Sequence, residues 1–487
     1  MRDEILEEDM IMSLRPLIAI FGTTGVGKSN LAIHIARYLK NSSKCNGARI
    51  INADAMQVYA GLDVLTNKVP EQEQRGIPHL LMGFKQPGEQ YVVGQWVKDA
   101  ISAIDETHRN KEIPIVVGGT SYWMQHLIFP ERLSGPAHEE LQPMSEAVLA
   151  SLAALPPELR DLFDHFPPQP PDAAVDPDAA ASLHRLLQNL DPTMAARWHW
   201  KDTRKVFRSL SIIKQTGRRP SDIVDEQAAT ALRPRYDTLC FWLYADSAVL
   251  LPRLDVRVDQ MLSQGLLDEV RSLQGLKHAN ETDYTLGIYQ SIGYREFHAY
   301  LASETQTSKA YTEAVENMKI STRQYARRQI SWIRNKLLPA VRAADVPAYV
   351  LDATRVDENW NKNVCDPAVT LTEKFLDGIE LPDPATLSEL ATTLFQGSDK
   401  PTNPNSVLAS QRKVVCDSCT SDPTKPYLVD EDQLQRHIHG RTHRRLARKT
   451  TPAQHREANE SKRAAQKGTH VERTEGRSDE DVADLFV

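Results

Sequence analysis

The sequence predicts an α/β protein: a P-loop parallel-sheet core with a helical insertion domain, plus a small C-terminal C2H2-type zinc finger. Three observations carry this. Residues 22–29 read Gly-Thr-Thr-Gly-Val-Gly-Lys-Ser directly after the apolar run Leu17–Phe21, the strand-to-helix setting of a phosphate loop. Short apolar runs alternate with helical periodicity through the first 130 residues, as a parallel sheet requires. Near the C-terminus, Cys416 and Cys419 stand two residues apart in a Cys-x2-Cys pair, and His437 and His443 form a His-x5-His pair.

The elements follow in order. Leu17–Phe21 is the first strand, and residues 31–39 carry the helix after the loop. Ala48–Asn52 is a second strand ending near Asp54, and Ile113–Val117 a third, ending in Gly118-Gly119-Thr120. Residues 131–200 read as helical with a Pro-rich break at 166–172. Leu239–Tyr244 is a further buried strand, and long helices are expected over about 250–273 and 309–336. Residues 341–410 lose periodicity and read as a linker with a few short elements. The expected domains are therefore a P-loop core from 13–130 and 201–340, an insertion at 131–200, the linker, a finger of the U1/matrin-like kind at 411–450, and a disordered polar tail at 451–487.

Composition limits the function. The 487 residues suffice for two or three domains, and a formal net charge of -7 means that any nucleic-acid surface must be local. No run approaches the length of a membrane span. The acidic start, Met-Arg-Asp-Glu, argues against a leader peptide, so the expected compartment is the cytoplasm. Starts at Met10 or Met12 and the basic tail leave mitochondrial and nuclear pools open. Five cysteines in a chain this long do not suggest a disulfide framework.

The chemistry starts at the loop. Its glycines turn backbone N–H groups onto an anion, Lys28 supplies a point charge, and Ser29 a hydroxyl for Mg²⁺. Asp54 falls at the ligand edge of the sheet, where it serves either as a base or as a helix N-cap. The third strand ends in glycines where an ATPase often places an acid, which weakens a nucleotide-hydrolase reading. Positive charge clusters at Arg204, Lys205 and Arg208, at Arg253 and Arg257, and along Arg323, Arg327 and Arg334. At 100° per residue the last three share one helix face, interleaved with Tyr325 and Trp332, which suits a phosphodiester backbone and stacked bases as well as a solvated helix face.

These motifs together resemble the tRNA dimethylallyltransferase family, in its eukaryotic form with a C-terminal finger. The matching stretches are residues 22–29, Asp54–Tyr59, Thr66–Lys68, Gly76–His79, Gly118–Thr120, Gln290–Glu296 and Arg323–Gln329. The resemblance implies transfer of a dimethylallyl group from dimethylallyl diphosphate to N6 of the adenosine just 3′ of the tRNA anticodon. It implies catalytic roles for Asp54 as base and for Thr24 and Arg257 at the leaving diphosphate. The diphosphate would be held by Gly22, Thr23, Thr24, Gly25, Val26, Gly27, Lys28, Ser29 and Thr120, with Mg²⁺. The tRNA anticodon stem-loop would meet Asp54, Ala55, Met56, Gln57, Arg204, Lys205, Arg208, Gln290, Gly293, Tyr294, Arg295, Arg323, Arg327 and Arg334. Cys416, Cys419, His437 and His443 would bind Zn²⁺. A monomer without membrane contact is expected. Departures from the family pattern are Leu80, where a second His is usual, and His199-Trp200-Lys201-Asp202 before the basic cluster. The competing readings are a P-loop kinase, an isopentenyltransferase acting on free adenine nucleotides, and a zinc-finger RNA-binding protein with a degenerate P-loop.

Overall fold

A computed structural model describes residues 15–130, 143–276, 287–356, 359–396 and 412–447. The alternative starts and the 451–487 tail lie outside the described residues. The described chain divides into two compact units, one of residues up to 133 with 231–400, the other of 134–230 with 401–487.

The first unit is built on six parallel strands: β1 (Pro16–Gly22), β2 (Ala48–Asn52), β3 (His79–Leu80), β4 (Ile113–Gly118), β5 (Asp237–Tyr244) and β6 (Ala348–Asp352). Their order is β3-β2-β4-β1-β5-β6. All seven residues of β1 are buried, because helices cover both faces of the sheet, and this is why the strand reads as one continuous apolar run. Successive side chains go to opposite faces. Leu17, Ala19 and Phe21 pack with Trp96, Trp123 and Leu127, while Ile18 and Ile20 pack with Leu31, Ile35 and Leu39. The chain leaves β1 for β2 by way of the Lys28–Lys40 helix, and β4 then inserts between them. That reversal opens a crevice at the carboxyl ends of β1 and β4, the position at which such sheets bind ligands.

Two sequence expectations change here. Residues 341–410 were read as a linker, but β6 is a full sheet strand beside β5, and the Asp366–Leu376 and Glu389–Gln396 helices pack behind it. A four-residue apolar run among Asp, Pro and Thr carries too little pattern to stand out. The helix expected over 250–273 is two, Ser247–Ser263 and Leu266–Gly275, divided at Gly265 with φ 100°. The helix from Ser308 to Trp332 forms as expected and ends in a π turn at Ile333–Leu337.

The second unit is a helical bundle. Its core joins Val148 and Leu152, Leu159 and Phe163, Leu183–Leu190, and Val206, Leu210 and Ile213. The Thr203–Thr216 helix, assigned from sequence to the first domain, therefore belongs to the bundle, because its apolar face has its partners there. The β7 (Lys413–Val415) and β8 (Leu428–Asp430) hairpin and two short helices complete this unit. They dock on the bundle: the Lys413 N–H donates to Ala196 O (2.8 Å), the Trp200 indole N–H to Pro426 O (2.9 Å), and Lys425 pairs with Asp178 (2.7 Å).

Candidate active site

The phosphate loop connects β1 to the Lys28–Lys40 helix. Gly25 and Gly27 both take φ 79°, a left-handed conformation that a side chain disfavours. No side chain caps the helix, so its first N–H groups face the loop's interior, where an anion would sit. Lys28 folds back to donate from Nζ to Thr23 O (2.6 Å). Protein surrounds its ammonium except toward the cavity. Burial pushes its pKa down to about 8, Asp54 works against that shift, and Arg257 adds to it. Arg257 is likewise pushed down by burial, to about 10, with Asp54 opposing. Two cations, Lys28 and Arg257, thus share the poorly solvated loop end of the cavity with the Asp54 carboxylate.

Asp54 fills both roles that the sequence left open. Its Oδ1 accepts the Met56 N–H (2.9 Å) and closes the turn after β2, as a capping residue does. Its Oδ2 lies across from Gly119, where a Cβ would stand 3.4 Å away. The surrounding frame is rigid. Asn52 Oδ1 accepts the Asp54 N–H (3.0 Å), Asn52 Nδ2 donates to Leu81 O (3.0 Å), and Trp96 Nε1 donates to Asn52 O (2.8 Å). A Cβ on Gly118 would fall 2.1 Å from Ala53 O, so the end of β4 can touch the Asp54 turn only as glycine.

The Ser308–Trp332 helix closes the site with residues that sequence reasoning did not assign. Gln329, 6% exposed, accepts the Thr24 N–H at Oε1 (2.9 Å) and donates from Nε2 to Gly119 O (2.9 Å), so it ties the phosphate loop to the end of β4. Tyr325 meets Thr120 and Gln329, and burial together with the Asp54 charge raises its pKa. The pair is spaced i, i+4 around the small Ala326, a signal present in the sequence but masked by the arginines beside it.

The resulting cavity holds about 740 Å³, within the range of small-molecule sites. Thr24, Gly25, Gly27, Lys28, Ser29, Asp54, Gln57, Arg257, Tyr325 and Gln329 line it. Gly22, Thr23 and Val26 are buried and shape the loop from beneath. The Thr120 hydroxyl accepts the Ala55 N–H (3.1 Å), and Met56 packs against the core. Ser29 and Asp54 give the wall two hard oxygen donors, a set that suits a divalent cation.

Several expected RNA contacts lie elsewhere. Tyr294 is fully buried beside Tyr289 and His298, a core residue rather than a contact, because Gly293 (φ 104°) turns it inward. Gln290 and Arg295 are exposed and lie outside the cavity lining. Arg323 is engaged with Asp255 (2.6 Å to Oδ2). Arg327 and Arg334 line a different cleft of about 410 Å³, with Arg342 and Ser331. The arginine stripe and the Tyr325–Gln329 face are two separate sides of one helix. In the second unit, Arg204 and Arg208 lie exposed one turn apart, while Lys205 pairs with Asp202 (2.9 Å) and covers Trp198 at 4.9 Å.

Also in the second unit, Cys416, Cys419, His437 and His443 offer ligand atoms all within 4.8 Å of one another. Four separations are 3.5, 3.4, 3.3 and 3.3 Å. An ion bonded tetrahedrally at about 2.3 Å to sulfur and about 2.0 Å to nitrogen spaces its ligands by roughly 3.3–3.8 Å. The cluster could hold a metal ion of that geometry.

The sequence matches the IPP transferase family over residues 57–336. It is 36% identical over 446 residues to the tRNA dimethylallyltransferase of Schizosaccharomyces pombe, covering 90% of this chain and 96% of that one. To the Saccharomyces cerevisiae tRNA dimethylallyltransferase it is 35% identical over 368 residues, 74% of this chain and 76% of the other. A solved structure of a eukaryotic dimethylallyltransferase acting on tRNA superposes with a TM-score of 0.68 at 29% identity, over 93% of this chain and 99% of that one. Among the described residues, no helix is long and apolar enough to cross a membrane.

Proposed function

This chain belongs to the IPP transferase family, and on that premise we infer that it is a tRNA dimethylallyltransferase. It moves a dimethylallyl group from dimethylallyl diphosphate to N6 of the adenosine 3′-adjacent to the anticodon, giving N6-isopentenyladenosine. One observation carries the reading: a phosphate loop and the Asp54 carboxylate line the same cavity, with no second acid on β4 to serve nucleotide hydrolysis.

The adenine must leave its stack to reach the donor. As N6 bonds to the allylic carbon, the carbon–oxygen bond to diphosphate breaks, and Asp54 Oδ2 takes the N6 proton. Lys28, Arg257 and Thr24 face the oxygens on which negative charge accumulates. The Ser29 hydroxyl would hold Mg²⁺, which neutralises diphosphate charge when bound. Arg204 and Arg208 suit RNA phosphates. Zn²⁺ would occupy the Cys416, Cys419, His437 and His443 set.

The test is incubation of purified protein with labelled dimethylallyl diphosphate and tRNA, AMP or ATP. Label in tRNA alone is expected. Label in free nucleotide, or a requirement for ATP, would refute the assignment.

A further inference from the structure

The segment after β6 lies beyond the 57–336 family match, yet it forms the outer wall of the phosphate loop. Trp360 sets its six-membered ring against Gly27. A Cβ on Gly27 would meet Trp360 Cη2 at 2.5 Å, Cζ2 at 3.1 Å and Cζ3 at 3.2 Å. The indole is held in turn by Cys365, which it hydrogen-bonds and which is buried against the core shared with Leu31 and Ile35. A second brace comes from Arg253. Its Nη1 donates to Gly25 O (3.4 Å) and Ala353 O (3.2 Å), and its Nη2 to Thr354 O. Ala353 is itself tied to the end of β5 through its N–H to Tyr244 O (2.7 Å).

Neither Trp360 nor Arg253 is among the residues lining the cavity. Both act on loop backbone from behind. In a trans peptide the C=O and the following N–H point opposite ways. Arg253 holds Gly25 O outward, which directs the Val26 N–H to the inner side of the loop. Trp360 blocks outward movement of Gly27, the residue that begins the helix. The loop carries two glycines at φ 79° and would otherwise sample many conformations. The position of its N–H groups is therefore imposed from behind, by Arg253 on the Ser247–Ser263 helix and by the chain that follows β6.

We propose that Trp360 and Arg253 are positioning residues that hold the phosphate loop in its diphosphate-binding shape, so that donor affinity is set by the Ser247–Ser263 helix together with the segment after β6. The inference rests on the transferase reading for the identity of the donor, but not for its geometry. The binding of inorganic pyrophosphate and of dimethylallyl diphosphate to the full chain is measured by calorimetry without tRNA. Steady-state constants for donor and tRNA are measured alongside. Trp360→Ala and Arg253→Ala should each weaken both diphosphates about tenfold, as misplacement of a preorganised site does. The donor KM should rise with them, the tRNA KM should stay within about twofold, and Trp360→Phe should recover about half of the loss. Melting temperatures and circular dichroism identify a variant that fails to fold, in which case Trp360→Phe and Arg253→Lys, each intermediate in effect, carry the test. Diphosphate affinity unchanged in folded variants would overturn the proposal, as would parallel rises in the donor and tRNA constants. Failure of the wild type to bind dimethylallyl diphosphate while it still binds pyrophosphate would instead overturn the transferase reading and leave the brace standing.

Discussion

Asp54→Asn separates the two jobs of one side chain. Oδ1 closes a turn by accepting the Met56 N–H, and an asparagine carbonyl can accept it equally well. Oδ2 faces the cavity near Gly119, and an amide there cannot take a proton. The fold should therefore survive while the chemistry fails. A positioned general base contributes about 10²–10⁴-fold, or roughly 2.7–5.5 kcal/mol of barrier. The single-turnover rate of label transfer from dimethylallyl diphosphate to tRNA should drop by that factor, with the melting temperature almost unmoved. Asp54→Ala should show the same rate loss plus about 1 kcal/mol of destabilisation from the uncapped turn. The assay belongs near pH 7. The Asp54 charge supports the ammonium of Lys28, whose pKa is already down at about 8, and its removal lowers that pKa further, so that Lys28 begins to discharge at lower pH than in the wild type. A rate for Asp54→Asn within a few-fold of wild type would refute the base assignment.

Three further outcomes follow from the site. Lys28, at about 8 in the free protein, should regain its proton when diphosphate binds, so calorimetry near pH 8.5 in buffers of different ionisation enthalpy should show net proton uptake and falling affinity as pH rises past 8; the same fall in Lys28→Arg would refute this. By linkage, the burial cost of Lys28 is fully present below pH 8 and fades as pH rises from about 8 toward 10.5, because the unfolded chain then binds more protons than the folded one. Gly118→Ala should abolish transfer, since its Cβ would sit 2.1 Å from Ala53 O and push the Asp54 turn out of place; retained activity would show that the turn adjusts freely. With Zn²⁺ bound to the Cys/His cluster as proposed, chelation should uncover Trp200, 6% exposed beneath Leu428 and Pro426, and shift its emission to the red; unchanged fluorescence after chelation would contradict the proposed metal-dependent docking.

Much of the core was legible because burial on both faces leaves a plain mark. β1, β2, β4 and β5 are apolar runs flanked by turn residues, and the phosphate loop is a local motif whose spacing is its function. β3 has only two residues and β6 a short apolar run in a polar region, too little for any periodicity. The roles of Tyr325 and Gln329 were hidden because the helix has two polar faces, and charge alone does not say which one meets the cavity. Tyr294 sits in a motif, and motif membership does not distinguish a contact from a core residue. Trp360 on Gly27, 333 positions away in the chain, leaves no local trace at all.

The second unit also has an order of birth. Its bundle comes from residues 134–230, yet the partner that covers Trp200 is Pro426, 226 residues later. At about 5–20 residues per second of synthesis, the ribosome leaves that tryptophan bare for roughly 10–45 s while the rest of the sheet is made. A segment that emerges only after the sheet strands is the one that seals this early surface. Mutations that slow the closing step, including those in the Cys/His cluster, should therefore lower the yield of soluble protein in cells more than they lower the stability of molecules already folded.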